Sequence, residues 1–159
     1  MQDYRLKPIG KVENDEKGVF IKLAPEYISG LLALDGFSHI NVIWWFSDCD
    51  NQTDRNILQA EQPYKGAPPV MGVFATRSPF RPNPIALTAV EVINIDFDQG
   101  IIQVTFIDAN NDTPVLDIKP YTPSLDRVET PGVPMWCSDW PKSTEQSGYF
   151  DWEQVFNFE

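Results

Sequence analysis

The sequence predicts a single, mainly β domain, and three observations lead to that prediction. The chain has 159 residues, which is about the size of one domain. Residues 8–108 consist mostly of short apolar, β-branched runs separated by turn residues. Hydrophobic residues make up 42% of the chain and aromatic residues 13%, so the apolar content suffices for one folded core.

Seven runs have the composition of β-strands, being rich in β-branched and aromatic residues. They are residues 9–12, 19–23, 37–46, 70–75, 85–97, 101–107 and 114–118. Residues 37–46 contain two tryptophans and two phenylalanines, and we expect this run to be the central strand of the core.

The segments between these runs are predicted from their turn chemistry. Polar residues 13–18 predict a turn, and so do residues 96–100. Residues 25–32 begin with Pro25 and have apolar residues at helical spacing, which predicts a short helix. Residues 47–69 form a long polar loop, and long loops in small domains are often functional.

The composition excludes several classes of protein. No stretch approaches the ~20 apolar residues of a membrane span, and the N-terminus lacks an apolar signal core, so we expect a soluble, cytoplasmic protein. Two distant cysteines and one histidine predict neither a disulfide framework nor a metal site. A formal net charge of −11 disfavours contact with nucleic acid except through a local basic patch, and it equally suits a small metabolite as substrate.

The first segment with chemical potential is residues 76–84, Thr-Arg-Ser-Pro-Phe-Arg-Pro-Asn-Pro. Each proline fixes its own φ and restricts the residue before it, so this loop loses little freedom on binding a ligand. Its polar side chains suit a carboxylate or a phosphate: Thr76, Arg77, Ser78, Arg81 and Asn83. The alternative is a rigid surface turn whose arginines pair with the protein's own carboxylates.

The second segment is residues 112–121, Asp-Thr-Pro-Val-Leu-Asp-Ile-Lys-Pro-Tyr. In a strand, alternation places Asp117, Lys119 and Tyr121 on one face, with Leu116 and Ile118 on the other. A carboxylate and a phenol on one wall can hold the ribose and the base of a nucleoside. The alternative is a surface salt bridge beside a tyrosine that faces the core.

Other enzyme motifs are missing from the sequence. It has no G-x-G-x-x-G, no P-loop, no G-x-S-x-G and no paired histidines. His39 lies in the aromatic run, which predicts a buried, hydrogen-bonded histidine. Cys49 lies between Asp48 and Asp50, whose charges disfavour a thiolate nucleophile.

The two segments closely resemble the signature stretches of the TsaA-like, or TrmO-like, S-adenosylmethionine-dependent methyltransferases. Residues 34–39, Leu-Asp-Gly-Phe-Ser-His, also resemble that family, so the similarity extends over about residues 8–121. The resemblance implies a small β-barrel, usually homodimeric, that binds S-adenosylmethionine without a Rossmann sheet. It further implies, as the family's best-known activity, methylation of the exocyclic nitrogen of N6-threonylcarbamoyladenosine beside the tRNA anticodon.

The resemblance also assigns roles to residues of this sequence. It implies cofactor contacts by the polar residues of the 76–84 loop named above, and by Phe46, Ser47, Leu87, Ile107, Asp108 and Lys119. Arg77 suits the methionine carboxylate, and Asp108 or Asp117 suits the ribose. The acceptor nitrogen must lose a proton, for which Asp117, Tyr121 and a carboxylate of the substrate are candidates.

Two departures from the family pattern keep the acceptor open. Family members carry a Pro-Arg-Gln stretch soon after the first strand, whereas here Val12 leads into an acidic segment. Residues 1–127 are predicted to form the methyltransferase barrel. Residues 128–159, with six acidic residues and one lysine, are predicted to form an aromatic tail that packs on the barrel or at a dimer interface. A small-molecule N- or O-methyltransferase and a noncatalytic cofactor-binding module remain the alternatives to a tRNA methyltransferase.

Overall fold

A computed structural model describes residues 3–157, which form two compact units. The first unit comprises residues 3–50 and Pro84–Arg127, and the second comprises Asn51–Asn83 and residues 128–157. Phe158, an aromatic residue of the predicted tail, lies outside the described residues. The division of the chain at residues 127 and 128 stays a prediction, with the described tail residues in the second unit.

Eight strands are present in the described residues, and six of them form a closed antiparallel barrel in the first unit. In chain order they are β1 (Gly10–Asp15), β2 (Gly18–Leu23), β3 (His39–Trp45), β4 (Gln59–Glu61), β5 (Val70–Gly72), β6 (Ile85–Asp96), β7 (Ile101–Val104) and β8 (Pro114–Pro120). The order around the barrel is β1-β2-β7-β6-β3-β8. The prediction of a mainly β fold with a small barrel is confirmed.

The interior of the barrel is filled by side chains that alternate along each strand. In β3, Ile40, Val42 and Trp44 point inward and are at most 4% exposed, whereas the residues between them are half-buried. Period-two alternation in an aromatic, β-branched run therefore forms a central strand, as predicted. The other buried members of this core are Val12, Ile21, Leu23, Leu31, Ala86, Val90, Ile102, Val104, Ile107 and Val115.

The first hairpin is longer than the sequence predicts. The expected turn at residues 13–18 is wrong in its first half, because β1 continues through polar residues to Asp15, which pairs with Gly18. Glu13 pairs with Phe20 in the ladder, so a full set of backbone hydrogen bonds with β2 outweighs the low strand propensity of these residues. The turn itself is only Glu16–Lys17, and Asp15 Oδ1 accepts a hydrogen bond from Lys17 N at 2.7 Å.

Strand ends on the other side of the barrel also differ from the prediction. β7 ends at Val104 rather than at residue 107, and one further hydrogen bond to β6 follows it, from Thr105 N to Glu91 O. β8 extends to Pro120, two residues past its predicted end. Its register against β3 shifts between Ile43 and Trp44, so Val115, not Leu116, points into the core.

Short helical segments connect the strands. Pro25–Leu31 is a 3-10 helix, which confirms the short helix expected there, and its Leu31 packs into the barrel core. The other helices are α1 (Gln52–Arg55), α2 (Pro123–Asp126), α3 (Thr144–Ser147) and the 3-10 turns Ser47–Cys49, Val73–Ala75, Met135–Cys137 and Trp152–Gln154. No helix within residues 3–157 is long and apolar enough to span a bilayer.

The second unit contains the two-stranded sheet β4–β5 and an aromatic cluster. Residues 47–69 are therefore not one continuous loop, because they hold a 3-10 turn, α1 and β4. The strand expected at residues 70–75 ends at Gly72, where the chain turns into Val73–Ala75. Tyr64 is 8% exposed and its ring packs against three aromatic side chains of the tail, Trp136, Trp140 and Phe156.

Candidate functional site

The predicted site residues are distributed over the two units, and each group is described within its own unit. The first unit holds Phe46, Ser47, Leu87, Ile107, Asp108, Asp117, Lys119 and Tyr121, and the second holds Thr76, Arg77, Ser78, Arg81 and Asn83.

Phe46 and Ser47 lie where β3 leaves the barrel. Phe46 N donates to Pro84 O at 2.8 Å, and the Phe46 ring makes an edge contact with Trp44 at a centroid distance of 4.5 Å. Ser47 is exposed and begins the 3-10 turn Ser47–Cys49. The aromatic strand thus anchors the turn through Phe46 and leaves the serine hydroxyl accessible.

A second turn, which carries Ile107 and Asp108, is joined to the first by a hydrogen bond. Asn110 Nδ2 donates to Asp48 Oδ2 at 2.9 Å. Ile107 is 3% exposed and belongs to the barrel core, whereas Asp108 is exposed. The structure therefore brings the two predicted cofactor segments of the barrel together at the same end.

Sequence reasoning missed the side chains that hold these turns. Asn14 Nδ2 donates to Ala109 O at 3.0 Å, and Asn14 N donates to Asn111 Oδ1 at 2.9 Å. The available signal was the clustering of Asn and Asp at residues 108–112, since these side chains favour turns and bond to nearby backbone. The contact with Asn14 depends on the extension of β1 and could not be read from that cluster.

Leu87 and Asp117 lie in one cross-strand row on the outside of the barrel. Leu87 pairs with Ile43, and Ile43 pairs with Asp117 on its other side. Two strand spacings separate their backbones by about 10 Å. Leu87 is 49% exposed, so the row presents an apolar side chain and a carboxylate on the same face.

Asp117 and Lys119 share the face that the sequence predicts for them. Lys119 Nζ lies 2.7 Å from Asp117 Oδ2, and Ile118 N donates to Asp117 Oδ1 at 2.9 Å. The hydrogen bond and the negative charge of Asp117 raise the pKa of Lys119 above its usual value of 10.5. Lys119 thus stays an ammonium throughout the neutral range and holds the carboxylate in one orientation.

Tyr121 lies just beyond β8, next to His39. Tyr121 N donates to His39 O at 3.0 Å, and the two rings lie 6.3 Å apart between centroids. The expectation of a buried His39 is wrong, because β3 points this side chain to the outside of the barrel, where it is half-buried. His39 Nδ1 is 2.9 Å from Ser38 Oγ, so the histidine is hydrogen-bonded as expected.

Asp126 fixes the chain that follows β8, and sequence reasoning did not identify it. Its Oδ1 accepts a hydrogen bond from Asn41 Nδ2 at 2.9 Å, and its Oδ2 accepts one from Thr122 N at 2.7 Å. Asn41 is the cross-strand partner of Lys119. The network therefore connects the segment after β8 to β3, the strand that lies between β8 and β6 in the barrel.

An apolar cavity of about 370 Å³ opens in the first unit beside this face. The 3-10 helix Pro25–Leu31 forms one wall, and Leu23 and Ile118 contribute from the barrel. Asp117 is also among the residues that line the cavity. A small ligand with an apolar body matches these walls.

In the second unit, the loop at residues 76–84 is ordered by its own hydrogen bonds. Thr76 Oγ1 donates to Val73 O at 2.8 Å and accepts from Ser78 N at 3.2 Å. Ser78 Oγ accepts from Phe80 N at 3.2 Å. Thr76 is only 8% exposed, so its hydroxyl serves the fold of the loop.

The two arginines of this loop have different environments. Arg77 is exposed. Arg81 is half-buried, and its Nη2 donates to the carbonyl oxygens of Val73 and Thr76. Asn83 is exposed, and its Oδ1 lies 3.4 Å from Arg55 Nη2. Of the two arginines, Arg77 is the more exposed to solvent.

Comparison with known proteins gives a consistent family. Residues 5–127 match the family model of the tRNA-methyltransferase O N-terminal domain. A probable S-adenosyl-L-methionine-binding protein of Methanocaldococcus jannaschii is 40% identical over 123 residues, which cover 77% of this chain and 96% of that protein. The tRNA (adenine(37)-N6)-methyltransferase of Escherichia coli is 39% identical over 92 residues, covering 57% of this chain and 38% of the enzyme.

Solved structures agree with the barrel. Two crystal structures of TrmO from Pseudomonas aeruginosa match with TM-scores of 0.65 and 0.61, each at 25% identity. They cover 85% and 82% of this chain, and in both cases 62% of the solved chain. The present chain thus spans about three fifths of the length of those structures.

Proposed function

The chain belongs to the tRNA-methyltransferase O N-terminal domain family, as its two motifs predict, and we propose that it is an S-adenosylmethionine-dependent methyltransferase. The observation that carries this proposal is the family match over residues 5–127, which includes both motifs. The names of the curated relatives support it, since they describe S-adenosyl-L-methionine-binding proteins and a methyltransferase.

The side chains present fit the chemistry of the cofactor. In the second unit, the charge and the planar donors of the exposed Arg77 suit the methionine carboxylate. In the first unit, the exposed carboxylate of Asp108 suits ribose hydroxyls, while Phe46 and Leu87 offer apolar surface to the adenine. When bound, the cofactor supplies an activated methyl group, and positioning of the acceptor by the protein accounts for much of the acceleration.

Asp117 and Tyr121 are the proposed catalytic residues. In this proposal the Asp117 carboxylate accepts the proton that the acceptor nitrogen loses, and the Lys119 ammonium orients that carboxylate. The Tyr121 phenol contacts the acceptor beside His39. A carboxylate of the substrate is the alternative proton acceptor.

For the acceptor we propose the exocyclic nitrogen of N6-threonylcarbamoyladenosine next to the tRNA anticodon, in a cytoplasmic enzyme that acts as a homodimer. The name of the Escherichia coli relative, a tRNA (adenine(37)-N6)-methyltransferase, supports an adenine N6 nitrogen of tRNA as the methylated atom. The family resemblance supports the homodimer, and light scattering of the purified protein would measure it. A mass equal to one chain at micromolar concentration would contradict the dimer.

A small-molecule acceptor is the second candidate, and the placement of the cations favours it. Lys11 and Lys22 lie within 4 Å of Glu13, and Lys119 is paired with Asp117, so these charges are compensated within the protein. The cavity beside Asp117 has room for a small acceptor. Phosphate contacts draw on uncompensated Lys and Arg, so these pairs weaken the case for RNA.

The first experiment is calorimetric titration with S-adenosylmethionine and S-adenosylhomocysteine. We expect micromolar binding to the unaltered protein and a loss of about tenfold or more in Arg77→Ala, the size expected for one charged hydrogen bond. Arg127→Ala, which removes an exposed arginine outside the predicted site, is the matched control. No binding to the unaltered protein would refute the methyltransferase proposal.

The second experiment identifies the acceptor. The purified protein is incubated with methyl-labelled S-adenosylmethionine and tRNA from cells that lack this protein. A separate reaction replaces the tRNA with the low-molecular-weight fraction of the same cells. Transfer to tRNA that falls steeply with salt supports the tRNA proposal, and transfer only to the small-molecule fraction supports the second candidate. Tight binding without transfer to either fraction would indicate a noncatalytic binding module.

A further inference from the structure

The guanidinium of Arg81 is committed to the backbone of its own loop. Its Nη2 lies 2.8 Å from Val73 O and 3.0 Å from Thr76 O, so both hydrogens of that nitrogen are used. Its Nε is buried and has no hydrogen-bond partner among the described residues. Burying an unpaired donor is unfavourable, which indicates that the two carbonyl contacts outweigh that loss.

These contacts help to hold the 3-10 turn Val73–Ala75 closed. Val73 O accepts three donors: Thr76 N at 3.1 Å, Thr76 Oγ1 at 2.8 Å and Arg81 Nη2. A cation among the donors strengthens such an arrangement, because charge-assisted hydrogen bonds are stronger than neutral ones. The turn and the start of the 76–84 loop are thereby held as one piece.

The second carbonyl matters for Arg77. The carbonyl of Thr76 and the N–H of Arg77 belong to the same planar peptide unit. The hydrogen bond from Arg81 to Thr76 O therefore fixes the orientation of the peptide plane that joins Thr76 to Arg77. A rotation of that peptide plane would change the direction in which the Arg77 side chain leaves the backbone.

We propose that Arg81 is a positioning residue, which acts by orienting the Thr76–Arg77 peptide so that Arg77 is preorganised for a carboxylate ligand. The inference rests on the proposed function in one respect, that Arg77 contacts the cofactor. It differs from the expectation that Arg81 itself contacts the cofactor. Preorganisation raises affinity because less conformational freedom is lost on binding.

A double-mutant cycle separates positioning from direct contact. The variants are Arg81→Met, which keeps the length of the apolar stem, Arg77→Ala and the double variant, each titrated calorimetrically with S-adenosylhomocysteine. We expect Arg81→Met to weaken binding about tenfold in the unaltered background and less than twofold in the Arg77→Ala background. Losses that multiply in the double variant would overturn the proposal, because they indicate independent contacts.

A second measurement does not depend on any ligand. Trypsin has one cleavable bond in residues 76–84, Arg77–Ser78, because the Arg81–Pro82 bond resists the enzyme. We expect cleavage after Arg77 to become at least fivefold faster in Arg81→Met, while Arg127→Met leaves its rate unchanged. An unchanged rate in Arg81→Met would also overturn the proposal.

The conservative variant Arg81→Lys keeps the test informative if Arg81→Met fails to fold. A lysine nitrogen can donate to both carbonyls but lies closer to the backbone, so we expect binding and trypsin resistance between those of the unaltered protein and Arg81→Met. If the unaltered protein binds no cofactor, the proposed function fails while the trypsin comparison still tests whether Arg81 orders the loop. Equal behaviour of Arg81→Lys and Arg81→Met in a folded protein would contradict the role of the two carbonyl contacts.

Discussion

Asp117 and Lys119 form an ion pair along a single strand, with Lys119 Nζ 2.7 Å from Asp117 Oδ2. Residues two apart in a strand lie on the same face, and the pair uses that geometry on the outside of β8. The other carboxylate oxygen, Asp117 Oδ1, accepts the hydrogen bond from Ile118 N. Both oxygens are therefore held before any acceptor arrives.

The first prediction concerns the titration of Lys119. Because the hydrogen bond that Lys119 donates to Asp117 and the negative charge of Asp117 raise the pKa of Lys119, Asp117→Asn is expected to lower that pKa toward 10.5. Nuclear magnetic resonance of the lysine side chains measures it. Lys11 is the internal control, since hydrogen bonds to Asp112 and Glu13 raise its pKa and Asp117 does not contribute.

The same shift sets the sign of a pH effect on stability. A pKa raised in the folded state stabilises the protein below the unfolded pKa, and this contribution is lost as the pH rises through the folded pKa. The contribution of the Lys119 shift to the stability difference between Asp117→Asn and the unaltered protein should thus be constant at neutral pH and shrink as the pH rises above 10.5. A difference that shrinks on acidification from pH 8 to pH 6 would contradict this assignment.

The second prediction uses two glycines of the first unit. A Cβ on Gly10 would overlap Lys22 O and lie 2.9 Å from Leu23 Cα, both in the backbone of β2, so Gly10→Ala should destabilise the fold by about 3 kcal/mol. Gly30 has open space around it, and Gly30→Ala should change stability by less than about 0.5 kcal/mol. Urea unfolding measures the stability of both variants. Equal unfolding midpoints would contradict the close contact between Gly10 of β1 and the backbone of β2.

The third prediction concerns Asp126. Removal of its carboxylate leaves Asn41 Nδ2 and Thr122 N without this acceptor, so Asp126→Ala should lower stability by about 1 kcal/mol. Amide hydrogen exchange at Thr122 should become faster. Asp98→Ala, in an exposed turn, is the control and should leave both quantities unchanged. Slow exchange at Thr122 in Asp126→Ala would sink the role given to this residue.

The fourth prediction concerns the aromatic cluster of the second unit. Tyr64 packs on Trp136 and Trp140 with ring centroids 5.4 Å and 5.1 Å away, so Tyr64→Ala should cost about 3 kcal/mol of that unit's stability. The near-ultraviolet circular dichroism signal of the aromatic side chains should decrease in the same variant. Tyr149 is 95% exposed, and Tyr149→Ala should be neutral in both measurements.

Local patterns predicted the elements whose structure depends on their own residues. Residues 37–46 alternate as a central strand, and the prolines of residues 76–84 predict a stiff loop. The sequence does not predict a strand at Glu13 and Asp15, because their extended conformation comes from pairing with β2 and not from their own strand propensity. The shift that turns Val115 rather than Leu116 inward is likewise set by β3.

The site shows the same division. Sequence alternation placed Asp117 and Lys119 together correctly, because they are neighbours on one strand. The link between Asp48 and Asn110 joins turns that are distant in sequence, so no local pattern could reveal it. Arg81 was expected to face a ligand, and only the positions of the Val73 and Thr76 carbonyls show its backbone contacts.

The seam between β1 and β8 has a consequence for biosynthesis. Gly10 pairs with Val115, so β1, which comes first among the barrel strands in chain order, must wait for β8, which comes last. Until β8 emerges, β1 and β3 each present an open edge, and open edges recruit other chains. Truncated chains that end before Pro114 should therefore aggregate or be held by chaperones, which makes the intact β8 a condition for closing the barrel.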